Sequence, residues 1–115
     1  MFGIKEVQAH CDIPCKIYDP ATAQIAVLSV IRLLDLIAEL GETVTSKADS
    51  AQLVRLTDQK ESHATSIKHD IATIWGDYFK APQIDAYPEV HDLVHTIMQQ
   101  ASKCLIQHIA TVKMN

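Results

Sequence analysis

Three side chains that can bind metals or carry redox chemistry stand close together near the start of the chain. His10, Cys11 and Cys15 lie in the stretch HCDIPCKIYDP at residues 10–20. The two cysteines are separated by three residues, whereas zinc ribbons and thioredoxin-like sites use a spacing of two. From the residues alone three interpretations stay open: two incidental thiols in a loop, a redox disulfide, or a zinc site with further ligands from elsewhere.

A fourth interpretation requires cleavage of the bond between Ala9 and His10. His10 would then supply a free α-amine and its imidazole, beside the backbone amide of Cys11 and the two thiolates. Two nitrogen and two sulfur donors in one plane suit a square-planar d⁸ ion such as nickel(II). Residues 1–9, MFGIKEVQA, lack the apolar core of a secretory signal. We therefore predict that they are a short leader, removed by another kind of peptidase.

The same stretch resembles the nickel hook of nickel-containing superoxide dismutases, whose pattern is HCDxPCGxYDP. The resemblance continues in WGDYFKAP at residues 75–82 and in YPEVHDLV at residues 87–94. It implies disproportionation of superoxide to oxygen and hydrogen peroxide, with a nickel ion alternating between its +2 and +3 states. It also implies a homohexamer of up-and-down four-helix bundles, each made as a precursor that a leader peptidase processes.

The resemblance also implies a role for individual residues. The metal ligands would be His10, through its amine and axial imidazole, Cys11, through its amide and thiolate, and Cys15, through its thiolate. Tyr18 would cover the open face of the metal and gate small anions, which makes Tyr18 and His10 the catalytic residues. Further positions would shape the hook, surround the site or attract the substrate: Asp12, Pro14, Lys16, His63, Tyr78 and Lys80.

Three positions and the length of the chain depart from the family pattern. Lys16 replaces a glycine of the hook, Ala26 stands where the family has an acid that supports the axial imidazole, and His63 stands where an arginine supports that acid. The C-terminal part is also shorter than the family's fourth helix. Because such outer partners orient ligands and tune metals, the alternative function is a relative that binds nickel or another metal, or uses its thiols in redox chemistry, without dismutase activity.

Composition limits the remaining function classes. The chain has 115 residues, 48% of them hydrophobic, which fits one domain over residues 10–115 with the hook at 10–18. A formal net charge of −4 argues against nucleic-acid binding. We expect no apolar run long enough to span a bilayer and a cytoplasmic location. The third cysteine, Cys104, is predicted to be a small buried residue.

The elements that must position the hook are predicted to be helices, since helical periodicity dominates the chain. Asp19 is a candidate N-cap with Pro20 at the first helical position, and Gly41 ends that helix. A long second helix is predicted from about Ser50 to Tyr78, followed by a loop, APQIDAYP, and a third helix from Pro88. Residues 102–114 are predicted to be helical, either as a short fourth helix or as an extension of the third. The predicted fold is an all-α, up-and-down bundle.

The faces of these helices are predicted from their apolar spacing. The first helix carries a broad apolar surface, which suggests burial on two sides in an oligomer. Its predicted buried positions are Ile25, Leu28, Ile31, Leu34 and Ala38. Positions that recur at spacings of three and four mark one face of the second helix: Leu53, Leu56, Lys60, His63, Ile67, Ile71, Ile74 and Tyr78. The predicted buried face of the third helix consists of Val90, Leu93, Val94, Ile97 and Ala101.

Other polar and aromatic residues are predicted to have structural roles. The mixed charges of the second helix, Lys60 among them, are predicted to form a solvated face. Trp75 is predicted to lie in the core. His91 and His95 lie one helical turn apart, but we expect surface or interface histidines because the HExxH glutamate of zinc peptidases is missing.

Overall fold

Four α-helices and one π turn make up the described part of the protein. The computed structural model describes residues 17–106. We name the helices α1 (Ala21–Glu39), α2 (Lys47–Thr73), α3 (Ala81–Ala86) and α4 (Val90–Ile106), with the π turn at Ile74–Tyr78 between α2 and α3. The all-α bundle predicted from periodicity is confirmed.

Hydrogen bonds between the helices give their directions. Thr22, at the start of α1, donates to Asp70 near the end of α2, with 3.0 Å between the oxygens. Lys68 of α2 donates to Ser102 late in α4, while Trp75, just after α2, donates to His91 at the start of α4. The first contact joins the beginning of α1 to the end of α2. Along α2, from Lys68 to Trp75, the partner on α4 moves back from Ser102 to His91, so α2 runs antiparallel to both α1 and α4.

The ends of α1 follow the predicted signals with a shift of one residue. An Asp19 carboxylate oxygen accepts the backbone N–H of Ala21 at 2.8 Å. The helix begins at Ala21, so Pro20 occupies the capping position instead of the first helical one. Gly41 follows the helix with φ +86°, the left-handed conformation that a glycine adopts at lowest cost.

The long second helix begins three residues before the predicted Ser50. The Ser46 hydroxyl accepts the backbone N–H of Asp49 at 3.0 Å, which caps α2 and lets it begin at Lys47. At the other end the helix widens into the π turn, where the N–H of Phe79 donates to the carbonyl of Ile74 at 3.4 Å. The predicted end at Tyr78 is therefore correct, although the last turn is not α-helical.

The segment predicted as the loop APQIDAYP contains the short helix α3. Pro82 prevents α2 from continuing, but it is tolerated in the first turn of a new helix, where its missing N–H needs no partner. The Gln83 side chain accepts the backbone N–H of Lys80 at 3.0 Å and so caps that turn. The last long helix begins at Val90, two residues after the predicted Pro88, and continues to Ile106 without a break after residue 101.

The core is small and built from short side chains where α1 crosses α2. Ala26 and Val30 of α1 pack with Ala64 and Ile67 of α2 and with Ala101 of α4. Larger apolar residues surround this cluster and are half-buried: Leu34, Ile71, Ile97, Cys104 and Leu105. The small alanine side chains at the crossing let the helix backbones lie close together. The core is therefore held by close contact between the helices as well as by its larger side chains.

The predicted buried face of α1 is wrong for the single chain. Ile25, Leu28 and Ile31 are 63%, 66% and 52% exposed, because the smaller Ala23, Ala26 and Val30 face α2 instead. Ala38 is exposed as well, and Leu93, predicted to be buried on α4, is 55% exposed.

The expectation that no apolar run could span a bilayer is also wrong. The helix α1 is long and apolar enough to do so, with a mean hydropathy of 1.7 over 18 residues. This finding concerns length and composition only. A helix that is covered on two sides by protein has the same composition.

Candidate functional site

Tyr18 is the hook residue whose surroundings the structure describes. It is half-buried, and its ring lies against Tyr78 with 5.8 Å between the ring centroids and 56° between the planes. Tyr78 in turn meets the ring of Phe79 edge-on at 5.2 Å. We call these three residues the tyrosine cluster. The cluster joins the end of the hook to the second block of family resemblance.

The π turn places Tyr78 in this cluster. The turn carries Trp75 and Tyr78, and Phe79 follows it directly in extended backbone. A π turn inserts an extra residue into the helical path, and such turns occur often at functional sites. Tyr78 remains 45% exposed, so part of this residue is open to solvent at this end of the bundle. Phenol groups can both donate and accept hydrogen bonds, as the binding of a small anion requires.

Lys80 lies two residues after Tyr78 and is exposed at the start of α3. An exposed ammonium group beside the tyrosine cluster attracts anions locally, against the net charge of −4 of the whole chain.

The two outer positions that depart from the family pattern have different environments. Ala26 is 5% exposed within the core cluster, close to Ala64, which is fully buried. A carboxylate there would lose its hydration among apolar side chains. His63 is half-buried on α2, in the residue position before Ala64. The helix crossing therefore uses Ala26 for close packing.

The predicted solvated face of the second helix is wrong at Lys60, which is buried. Its side chain is fully buried, and its ammonium group donates a hydrogen bond to the backbone carbonyl of Cys104 on α4. Loss of hydration lowers the pKa of Lys60 below its ordinary value, and nearby Glu61 and Cys104 oppose this shift. Its place among apolar residues spaced three and four apart was the sequence signal for burial.

Trp75 does not lie in the core as predicted. It is 40% exposed, and its indole N–H donates to Nδ1 of His91 at 2.9 Å, with the two rings perpendicular and 5.8 Å apart. This bond occupies Nδ1 of His91, one of the two histidines, His91 and His95, that lie one helical turn apart.

Within residues 17–106, no group of three or more His, Cys, Asp or Glu side chains could hold a metal ion. Among the residues that the structure describes, Cys104 has no disulfide partner, and it is half-buried.

The predicted metal ligands His10, Cys11 and Cys15 lie outside the described residues, as do Asp12, Pro14 and Lys16. Their chemistry nevertheless fits nickel. With residues 1–9 removed, one amine, one backbone amide and two thiolates would form a nitrogen and sulfur donor set of the kind that a d⁸ ion prefers, and the imidazole would add a fifth donor.

Comparisons with known proteins show the family of this chain. A family model of nickel-containing superoxide dismutases matches residues 5–115. Two relatives named as nickel superoxide dismutases, from Streptomyces seoulensis and Streptomyces coelicolor, are each 38% identical to this chain. The first match spans 97 residues and the second 96, and each covers 84% of this chain. They cover 69% and 68% of the length of the respective relative. No solved structure matches the chain significantly. The chain belongs to the nickel-containing superoxide dismutase family.

Proposed function

We propose that this chain disproportionates superoxide with nickel held by His10, Cys11 and Cys15, once residues 1–9 have been removed. Two superoxide ions and two protons give one oxygen and one hydrogen peroxide. The observation that carries the proposal is the contact between Tyr18 and Tyr78, which brings the end of the hook against the second family block. Membership of the family supports the reaction, the substrate and the metal.

Three residues of the hook supply the donor atoms for nickel. His10 offers its α-amine and imidazole, Cys11 its backbone amide and thiolate, and Cys15 its thiolate. Asp12 and Pro14 shape the backbone between them. The bound nickel supplies one-electron chemistry between its +2 and +3 states. Thiolate and amide donors favour this because they release electron density to the metal more readily than oxygen ligands do.

The tyrosine cluster and the nearby cations act on the substrate. Tyr18 limits the approach to anions as small as superoxide, and its contact with Tyr78 keeps the ring at the end of the hook. The phenol groups of both residues can donate hydrogen bonds to an anion. Lys80, and Lys16 in the hook itself, raise the local concentration of the negative substrate.

We also propose that the active form is a homo-oligomer, a hexamer by resemblance to the family, in the cytoplasm. The exposed side chains of Ile25, Leu28 and Ile31 form one apolar surface on α1. A surface of this kind on a protein in water is typically covered by another protein surface.

The second candidate is a relative that binds nickel or another metal without dismutase activity. The observation that favours it is Ala26, whose place in the core leaves no carboxylate to orient the axial imidazole. Since outer partners of a metal-binding histidine commonly change affinity or activity by about 10- to 100-fold, a slow enzyme and a pure metal binder are both compatible with this change.

The test uses the chain beginning at His10, loaded with nickel under reducing conditions. We expect one nickel per chain and accelerated decay of superoxide. Cys11→Ser and Cys15→Ser should each abolish both, whereas Cys104→Ser, the matched control, should abolish neither. Bound nickel without faster decay would leave the second candidate. Absence of nickel would exclude the dismutase and leave only a relative that binds another metal or uses its thiols. Mass spectrometry of the native N-terminus checks the cleavage after Ala9.

A further inference from the structure

The hydrogen bond between Trp75 and His91 joins the π turn to the first turns of α4. The indole nitrogen of Trp75 lies 2.9 Å from Nδ1 of His91, and the indole can only donate. His91 therefore accepts through Nδ1, which in the neutral ring leaves the proton on Nε2. The perpendicular contact of the two rings restricts the indole further.

This bond lies in the same short turn as Tyr78. Trp75 and Tyr78 are three residues apart within Ile74–Tyr78, a turn closed by a backbone bond of 3.4 Å between Phe79 and Ile74. A bond of that length is weak. The side-chain contacts of Trp75 with His91 and of Tyr78 with Tyr18 therefore add to the backbone bonds that hold the turn.

We infer that His91 is a positioning residue for the superoxide reaction. By accepting the indole N–H of Trp75 it fixes the π turn that holds Tyr78 against Tyr18. His91 acts through Trp75 and Tyr78 and does not touch the substrate. This inference rests on the proposed function for its effect on turnover, but its structural content can be measured without nickel.

The structural test observes Tyr18 in the metal-free chain. The protein has three tyrosines, so incorporation of 3-fluorotyrosine gives three fluorine signals, which single Tyr→Phe variants assign. His91→Phe keeps a ring but removes the acceptor, and we expect it to shift the Tyr18 signal. His91→Asn offers an amide oxygen near the position of Nδ1, and we expect it to retain the wild-type signal.

The matched control is His95, one helical turn further along α4 and exposed. His95→Phe makes the same chemical change on the same helix, and it should leave the Tyr18 signal in place. Trp75→Phe, which removes the donor, should reproduce the shift seen in His91→Phe. A Tyr18 signal that stays the same in His91→Phe, or that moves equally in His91→Phe and His91→Asn, would overturn the inference.

Turnover gives the second readout. In the nickel-loaded chain we expect His91→Phe to lower kcat/KM about fivefold, the factor equivalent to one ordinary hydrogen bond, with His91→Asn restoring most of it. Nickel content should be the same in all variants. A wild-type chain that fails to accelerate superoxide decay would refute the proposed function, while the Tyr18 signal would still decide the role of His91.

Discussion

Lys60 shows how the meaning of a single residue depends on its position in the fold. An ammonium group with no exposed surface is costly unless it is paired, and here it donates to the carbonyl of Cys104. The long side chain thus links α2 to α4 through one polar contact.

We predict that the stability of the protein rises with pH through this residue. Unfolded Lys60 titrates near its ordinary 10.5, whereas burial lowers the pKa of the folded residue. Between these two values the folded state has released a proton that the unfolded chain still holds, so the free energy of unfolding increases with pH. The cost of the buried charge is fully present below the folded pKa.

Lys60→Met isolates this contribution. Urea denaturation of wild type and variant from pH 7 to pH 10.5 should show the wild type gaining stability relative to Lys60→Met as the pH rises. Lys47→Met, at the exposed start of the same helix, is the control for loss of a lysine charge. The same pH trend in both variants would contradict the prediction.

At the scale of elements, helix ends determine where the site residues lie. The Ser46 cap and the positive φ of Gly41 define the turn between α1 and α2. The π turn and Pro82 then end α2 and start α3 beside Tyr78 and Lys80. The tyrosine cluster is therefore built at the end of one long helix, where the backbone changes direction.

Gly41→Ala is expected to destabilise the protein by about 1 kcal/mol. A Cβ at Gly41 would meet no atom within 4 Å, so the cost arises from the left-handed backbone and not from a clash. Gly76→Ala is the matched control, because its Cβ would also meet nothing within 4 Å and its φ is not positive. It should be neutral or stabilising in the same urea titration. Equal destabilisation by both changes would show that φ is not the cause.

At the scale of the whole molecule, the apolar surface of α1 is not covered by the other described helices. Ile25, Leu28 and Ile31 are each more than half exposed, while the opposite side of α1 packs on α2. The broad apolar face predicted for this helix therefore has two parts, one within the bundle and one on its surface. A second copy of the chain is the occupant that the proposed homo-oligomer requires.

Leu28→Glu should lower the oligomeric mass, because a carboxylate at the centre of this surface would have to be desolvated on assembly. Light scattering after size exclusion measures the mass. Ala51→Glu adds the same charge on an exposed position of α2 and should leave the mass unchanged. A monomeric wild type that binds phosphatidylcholine vesicles, and loses that binding in Leu28→Glu, would contradict assembly and favour a membrane as the occupant.

The sequence by itself determined the helical class, the two ends of α1 within one residue, and the family through the hook and two further blocks. These features depend on local rules: periodicity, capping chemistry, glycine at positive φ, and a short donor set such as His10, Cys11 and Cys15. Only the tertiary structure decided that Ala26 faces α2 while Leu28 faces outward. Both faces of α1 are apolar, and close packing of small side chains, which local pattern does not encode, selects between them. The contacts of Tyr18 with Tyr78 and of Trp75 with His91 are likewise tertiary. Tyr18 and Tyr78 are 60 positions apart in the sequence, and they meet because α2 returns along α1. Trp75 and His91 are 16 positions apart, and they meet because α4 returns along α2.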